Sequence, residues 1–196
     1  MKTGVLLVFL LLCGVSVFAQ SGLEVRGYFG VSSTLLGPKA GVVGAGSSEM
    51  DGFREFGVML SKGIGRKFRV NGGLSYSYGK VEFQCDLCNL PDLPYPYNQD
   101  FRMLSIPLYA EYELTKFLFV AGGPLLDFQH SESNNFDDQS GVGYLVGLGG
   151  KVRAEKFTFS LFPNYKRHGV IPFENNGEAK DILQELGVQA GVGYRF

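Results

Sequence analysis

Apolar and polar residues alternate with a period of two at both ends of the chain. Near the start Leu23, Val25, Gly27, Phe29 and Val31 face one way, and Glu24, Arg26, Tyr28, Gly30 and Ser32 the other. At the far end the apolar set is Leu186, Val188, Ala190, Val192, Tyr194 and Phe196, against Glu185, Gly187, Gln189, Gly191, Gly193 and Arg195. A period of two is the mark of a β-strand with two unlike faces. Six further strands are predicted at about residues 53–62, 67–81, 101–113, 117–128, 141–153 and 156–166. The 117–128 segment is apolar on both faces, so its register is ambiguous. Pro107, Pro124 and Pro163 fall inside predicted strands, where a residue without an N–H weakens a ladder. They are expected to mark bulges or misplaced boundaries.

The connections alternate in length. Long ones fall near 37–51, 82–100, 129–140 and 167–184, and short ones near 63–66, 114–116 and 154–155. An even strand number, strands near ten residues and alternating loop lengths predict an all-β fold, an eight-stranded antiparallel up-and-down transmembrane β-barrel. Alternation alone does not separate a membrane barrel from a soluble one, because the pattern is the same turned inside out. The non-apolar face separates them in part. It carries small residues and scattered charges rather than a dense solvated surface, which suits a narrow lumen. In that register Glu24, Glu55, Glu111, Glu113 and Glu185 point inward with Arg26, Arg69, Lys151, Arg153, Lys166 and Arg195, and the near balance of signs predicts a paired lumen charge network. Aromatics near strand ends (Phe68, Tyr112, Phe117, Phe157 and Tyr194) fit an interfacial girdle.

Composition agrees with short strands and tight turns: 28 of the 196 residues are glycine, aromatics make up 14%, and tryptophan is absent. Lys and Arg total 18 against 19 Asp and Glu, a balance that argues against a nucleic-acid partner. Residues 1–19 have the form of a cleaved signal peptide, with Lys2 in the n-region, an apolar run from Val5 to Leu12, and Val17-Phe18-Ala19 before Gln20. The apolar stretch is too short to span a bilayer as a helix. Cys13 follows Leu12 rather than a small residue, which disfavours lipoprotein acylation. Residues 20–196 then form one barrel domain, expected in the outer membrane among its lipids.

Several segments resemble the small outer-membrane barrels of the Bacteroidota, the PorT-like family. They are Leu104-Ser105-Ile106-Pro107-Leu108-Tyr109-Ala110-Glu111-Tyr112, Lys116 to Pro124, the strand Gly141 to Gly149, and the terminal Gly193-Tyr194-Arg195-Phe196. The resemblance covers the whole mature chain and implies an architecture similar to OmpA-type and OmpX-type barrels. It also implies that the terminal aromatics Tyr194 and Phe196 serve as the signal taken up by the barrel assembly machinery. It implies no chemistry.

The chain offers little that catalyses. Cys85-Asp86-Leu87-Cys88 has neither a βαβ frame nor a second Cys/His pair, so a local disulfide is favoured over free thiols, redox chemistry or a metal. His130-Ser131-Glu132-Ser133 reads as a polar loop, His168 as the start of the fourth long loop, and Glu132, Asn134, Asp137 and Asp138 as a solvated acidic loop. No catalytic, cofactor-binding or metal-binding residue is assigned. Leu90-Pro91-Asp92-Leu93-Pro94-Tyr95-Pro96-Tyr97 is apolar, aromatic and exposed by the topology, which fits packing over the barrel mouth ahead of a partner surface; if a partner is met, loops 82–100 and 167–184 are where an extracellular or envelope protein is expected. The leading expectation is a non-enzymatic envelope barrel with a closed lumen. The competing ones are a rim-active lipid hydrolase or acyltransferase, a small passive pore, and a soluble periplasmic ligand-binding barrel.

Overall fold

The computed structural model describes residues 22–36, 47–84, 97–130, 138–173 and 182–196. Eight strands follow one another: β1 Leu23–Leu36, β2 Ser47–Ile64, β3 Phe68–Gln84, β4 Tyr97–Glu113, β5 Leu118–Gln129, β6 Gly141–Ala154, β7 Phe157–Pro172 and β8 Leu183–Arg195. Each pairs antiparallel with its sequence neighbours, and β1 pairs with β8 from Glu24↔Arg195 to Leu36↔Leu183, closing the barrel. The Phe196 N–H adds a bond to the Leu23 carbonyl at 3.1 Å.

Several strands outrun the limits that hydropathy predicts. β2 begins at Ser47 rather than near 53, β4 at Tyr97 rather than 101, and β7 continues to Pro172 rather than 166. The outer parts of β2 and β4 are rich in polar residues and read as loop, while that of β7, still apolar at Val170 and Ile171, loses its alternation at the bulge and Gly169. The short turns follow the pattern. Gly65 adopts φ +78° between β2 and β3, and a two-residue turn at Glu155-Lys156 joins β6 to β7 with Glu155 at φ 50°. At the β4–β5 turn Thr115 Oγ1 accepts from the Leu118 N–H at 3.0 Å.

The prolines do not mark bulges. The two register shifts lie elsewhere, between Asp51 and Arg54 and between Val142 and Tyr144. Each proline instead sits where one ladder omits two residue pairs and resumes in the same register. The β3–β4 pairing passes from Gly72↔Leu108 to Ser75↔Ser105, β4–β5 from Pro107↔Leu125 to Ala110↔Gly122, and β6–β7 from Gly147↔Asn164 to Gly150↔Leu161. On its other side each proline keeps a partner: Pro107↔Leu125, Pro124↔Tyr144, Pro163↔Val188. A strand residue directs its N–H to one neighbour only, so a proline opens one ladder and leaves the other intact. The openings are dense with glycine. A Cβ on Gly123, opposite Tyr109, would strike the Leu108 carbonyl oxygen and lie 2.6 Å from the Tyr109 Cα.

The outer wall is apolar. Phe29, Val58, Leu74, Leu161 and Val192 are each about half exposed, while Glu24, Arg26, Glu55, Lys166 and Glu185 of the same strands are buried inside. Phe68 packs on Tyr112 in a tilted pair with ring centroids 4.8 Å apart, and Phe157 meets Tyr194 edge-on at 5.5 Å. These rings lie outward at the short-turn rim, where Lys67 and Lys156 approach the Tyr112 and Tyr194 faces. No helix among the described residues is long and apolar enough to cross a membrane, and a barrel crosses with strands.

Candidate functional site

The inward face is where charge, burial and cross-strand contact converge. It is arranged in three levels. Nearest the short turns, Glu24 on β1 takes two hydrogen bonds from Arg26 at 3.1 and 2.8 Å, one from Thr158 on β7 at 3.1 Å, and one from Arg69 on β3 at 3.4 Å. Beside it Lys151 on β6 donates to Glu111 on β4 and lies 2.8 Å from Glu113, which Arg153 also contacts. The lysine is 2% exposed and Glu111 0%. Apart from the Arg26–Glu24 pair within β1, these contacts join strands that are not neighbours in the sheet, so they brace the wall across the lumen.

The middle level is apolar, and sequence reasoning missed it. Met59, Tyr109, Phe119, Ala121, Leu125, Leu145 and Phe162 form a cluster against which Tyr28 packs. Phe119 and Phe162 approach to 5.4 Å between centroids, and Tyr109 stacks on Phe162 at 6.1 Å. Three of these seven residues come from β5, the strand whose two apolar faces left its register open. One of those faces meets the exterior and the other fills the lumen. The remaining void between Arg26, Tyr28, Met59, Tyr109 and Phe162 is about 10 Å³, below or at the size that admits one water.

The third level lies toward the long loops. Lys166 on β7 donates to Glu55 on β2 at 2.5 Å and to Glu185 on β8 at 3.3 Å. Glu55 also accepts from Tyr28 at 3.0 Å and from Gln189 at 2.9 Å. His168 corrects an expectation: it is not in a loop but on β7, 1% exposed, with Nδ1 2.9 Å from Asp127 on β5. Its Nε2 lies 2.8 Å from Glu185 Oε1, without the alignment of a hydrogen bond. The cause is local. Between Val142↔Ile171 and Tyr144↔Arg167, β7 carries two extra residues, and Gly169 at φ +56° makes the bend. Extending the inward series Thr158, Asn164, Lys166 by one step would have found His168, and the series Phe119, Ala121, Leu125 likewise reaches Asp127.

Ser105, Asp127 and His168 lie together, but their wiring is not that of a nucleophilic triad. Ser105 Oγ donates to Asp127 Oδ1 at 2.6 Å, so the carboxylate holds both hydroxyl and imidazole, and no base reaches the hydroxyl. Among the described residues no group of His, Cys, Asp and Glu is placed to hold a metal ion. Above this level Phe53, Phe101, Met103 and Leu183 are almost fully buried.

The remaining predicted positions divide. Arg195 is not part of the lumen network: at the end of β8 its guanidinium turns to the Glu155 carbonyl and ties down the β6–β7 turn. Arg153 sits partly exposed at the same rim, reaching inward only to Glu113. Tyr194 and Phe196 are outward and in edge-to-face contact at 5.2 Å. His130 is exposed at the end of β5. Cys85 and Cys88, residues 1–19, the 90–96 part of the aromatic loop, and Ser131, Glu132, Ser133, Asn134 and Asp137 lie outside the described residues.

No family model and no curated protein matches the chain. Solved structures do. The outer membrane protein OprG from Pseudomonas aeruginosa matches over 90% of this chain and 96% of its own, with TM-score 0.55 and 14% identity. The outer membrane protein AlkL, solved in lipid bilayers, matches over 90% of each chain with TM-score 0.51 and 13% identity. Ail, the attachment invasion locus protein of Yersinia pestis, aligns over 90% of this chain and all of its own, with TM-score 0.48 and 14% identity. At such identities the likeness is one of architecture, and the chain has the fold of OprG and AlkL, here a closed eight-stranded antiparallel β-barrel.

Proposed function

We propose that this protein is an integral outer-membrane barrel with a sealed lumen, a non-enzymatic component of the envelope that meets its partners through the long loops. The observation that carries the reading is the inverted sidedness of the wall. Val58 and Leu74 are each 55% exposed on the outside, whereas Lys166 and Glu185 are 4% and 2% exposed within. In water that distribution would leave a broad apolar belt solvated. In hydrocarbon a closed sheet satisfies its own backbone and shows apolar side chains to lipid. The packed lumen supports a structural role over a pore, and the wiring of Ser105, Asp127 and His168 supports it over a lipid hydrolase.

The reading includes export through cleavage after Ala19, use of Tyr194 and Phe196 by the assembly machinery, and membership of the PorT-like barrels. The last rests on the segments Leu104 to Tyr112 and Lys116 to Pro124. Partner contact belongs to loops 82–100 and 167–184. Cell fractionation with a heat-modifiability gel tests the core of the proposal. The protein is expected in the outer-membrane fraction, with a folded band that shifts on boiling. Recovery as a soluble periplasmic protein would overturn it.

A further inference from the structure

We infer that the outer face of β2, β3 and β4 at the long-loop end is a binding site for the phosphate of an anionic lipid headgroup. The inference rests on the membrane reading above and adds a ligand to it. The bulge between Asp51 and Arg54, made with Gly52 at φ +64°, bends β2 and opens a groove of about 460 Å³. Arg54, Tyr78 and Arg102 occupy one cross-strand row in it, because Arg54 pairs with Tyr78 and Tyr78 with Arg102. Strands lie ~4.8 Å apart, so the two arginine stems stand about 10 Å from each other across the tyrosine ring. Lys80, two residues along β3 toward the loops, adds a third cation, and all three are exposed. Among the described side chains Asp100 is the acid lining the groove, 3.4 Å from Arg102. Lys80 stands in register between Asp51 and Asp100, and among the described side chains no carboxylate forms an ion pair with Arg54.

The row below changes character at once. Phe56 pairs with Tyr76 and Tyr76 with Leu104, and the Phe56 and Tyr76 rings lie 5.4 Å apart on the outer wall. Cations directly above an aromatic and aliphatic surface match a lipid that sets its phosphate among guanidiniums and lays its chains on the wall beneath. Arginine suits that contact because its planar fork grips phosphate oxygens in pairs. A soluble anion would need only the upper row. A lipid uses both.

The test is native mass spectrometry of the full mature chain released from phosphatidylcholine nanodiscs doped with diphosphoryl lipid A. Insertion is checked beforehand by the heat-modifiable band. The wild type is expected to retain lipid A in preference to phosphatidylcholine, and to keep it in the presence of millimolar inorganic phosphate. Each cation near an anionic headgroup contributes about a five-fold preference, so Arg54→Gln/Lys80→Gln/Arg102→Gln should lose on the order of a hundred-fold. The outward Lys62→Gln, on β2 at the opposite end, should retain the wild-type preference. An inserted triple variant that keeps lipid A as well as the wild type overturns the site, as does displacement by phosphate alone. Failure of the wild type to insert overturns the membrane reading itself, and the site with it.

Discussion

Replacing Lys166 by methionine isolates the electrostatics of the upper lumen. The ammonium is the shared partner of Glu55 and Glu185, and all three side chains are nearly inaccessible to solvent. Methionine keeps the length of the stem and removes the charge, leaving two carboxylates with His168, Tyr28 and Gln189 as neighbours. Breaking a buried pair from one side costs about 3–5 kcal/mol, because the surviving charge keeps its desolvation penalty without its partner. With a urea slope of ~2 kcal/mol per molar, the unfolding midpoint should fall by about 1.5–2.5 M. The assay is reversible urea unfolding in lipid vesicles, followed by the gel-shift fraction folded. Lys116→Met, in the exposed β4–β5 turn, should stay within ~0.5 kcal/mol of wild type. Glu55→Gln/Lys166→Met/Glu185→Gln removes charge from both sides and should recover most of the loss. A Lys166→Met variant within ~1 kcal/mol of wild type would refute the buried network, and a triple variant weaker than the single would refute its electrostatic origin.

Gly123→Val should block assembly, because a side chain there meets the Leu108 and Tyr109 backbone, whereas Gly27→Ala, with nothing within 4 Å of its Cβ, should assemble normally; a heat-modifiable band for Gly123→Val would contradict the packing at the Pro124 opening. Planar-bilayer recording of the purified protein should show no steady conductance, since the middle lumen leaves a void of about 10 Å³, and large steady currents would establish a pore. Deleting Phe196 removes its edge contact with Tyr194 and the bond to the Leu23 carbonyl at the β1–β8 seam. The inserted fraction should fall, and unchanged insertion would exclude an assembly role. A cysteine at Asp138, beside β6 at the long-loop end, should react with an impermeant thiol reagent on intact cells lacking Cys85 and Cys88. Reaction only after lysis would reverse the proposed orientation.

The strand order and the outward face of most strands were legible in the sequence, because lipid-type exposure imposes strict alternation and the alternation survives in β1, β3, β4 and β8. Three features were not. The outer extensions of β2 and β4 carry polar residues on a continuing ladder, and that of β7 shifts its alternation at the Gly169 bulge, so hydropathy loses each strand before it ends. The prolines follow from a fact that hydropathy omits: in a closed sheet a residue needs its N–H on one side only. The apolar lumen was hidden by the assumption that the inward face is polar. Met59, Leu145 and Phe162 stand in phase with Ser61, Lys151 and Lys166, and only three-dimensional neighbours bring them into one cluster.

That mixed lumen sets how the barrel divides its tasks. A continuous column of charge through eight strands would need every group paired, and a single failure would leave a buried ion. The two polar levels are instead separated by the Phe119–Phe162 cluster, which excludes water and insulates each set of pairs from the other. Each set also ties strands that are not neighbours: Lys166 links β7 to β2, Lys151 links β6 to β4, and Glu24 links β1 to β3 and β7. A one-residue slip of any strand would carry its charged residue out to the apolar side, so these contacts select one register as well as stabilising it. Because the interior is filled by this bracing, the recognition proposed above is assigned to the loops and to the outer wall. Among the described residues the wall is largely apolar, and at the long-loop end the β2 bulge gathers Arg54, Lys80 and Arg102.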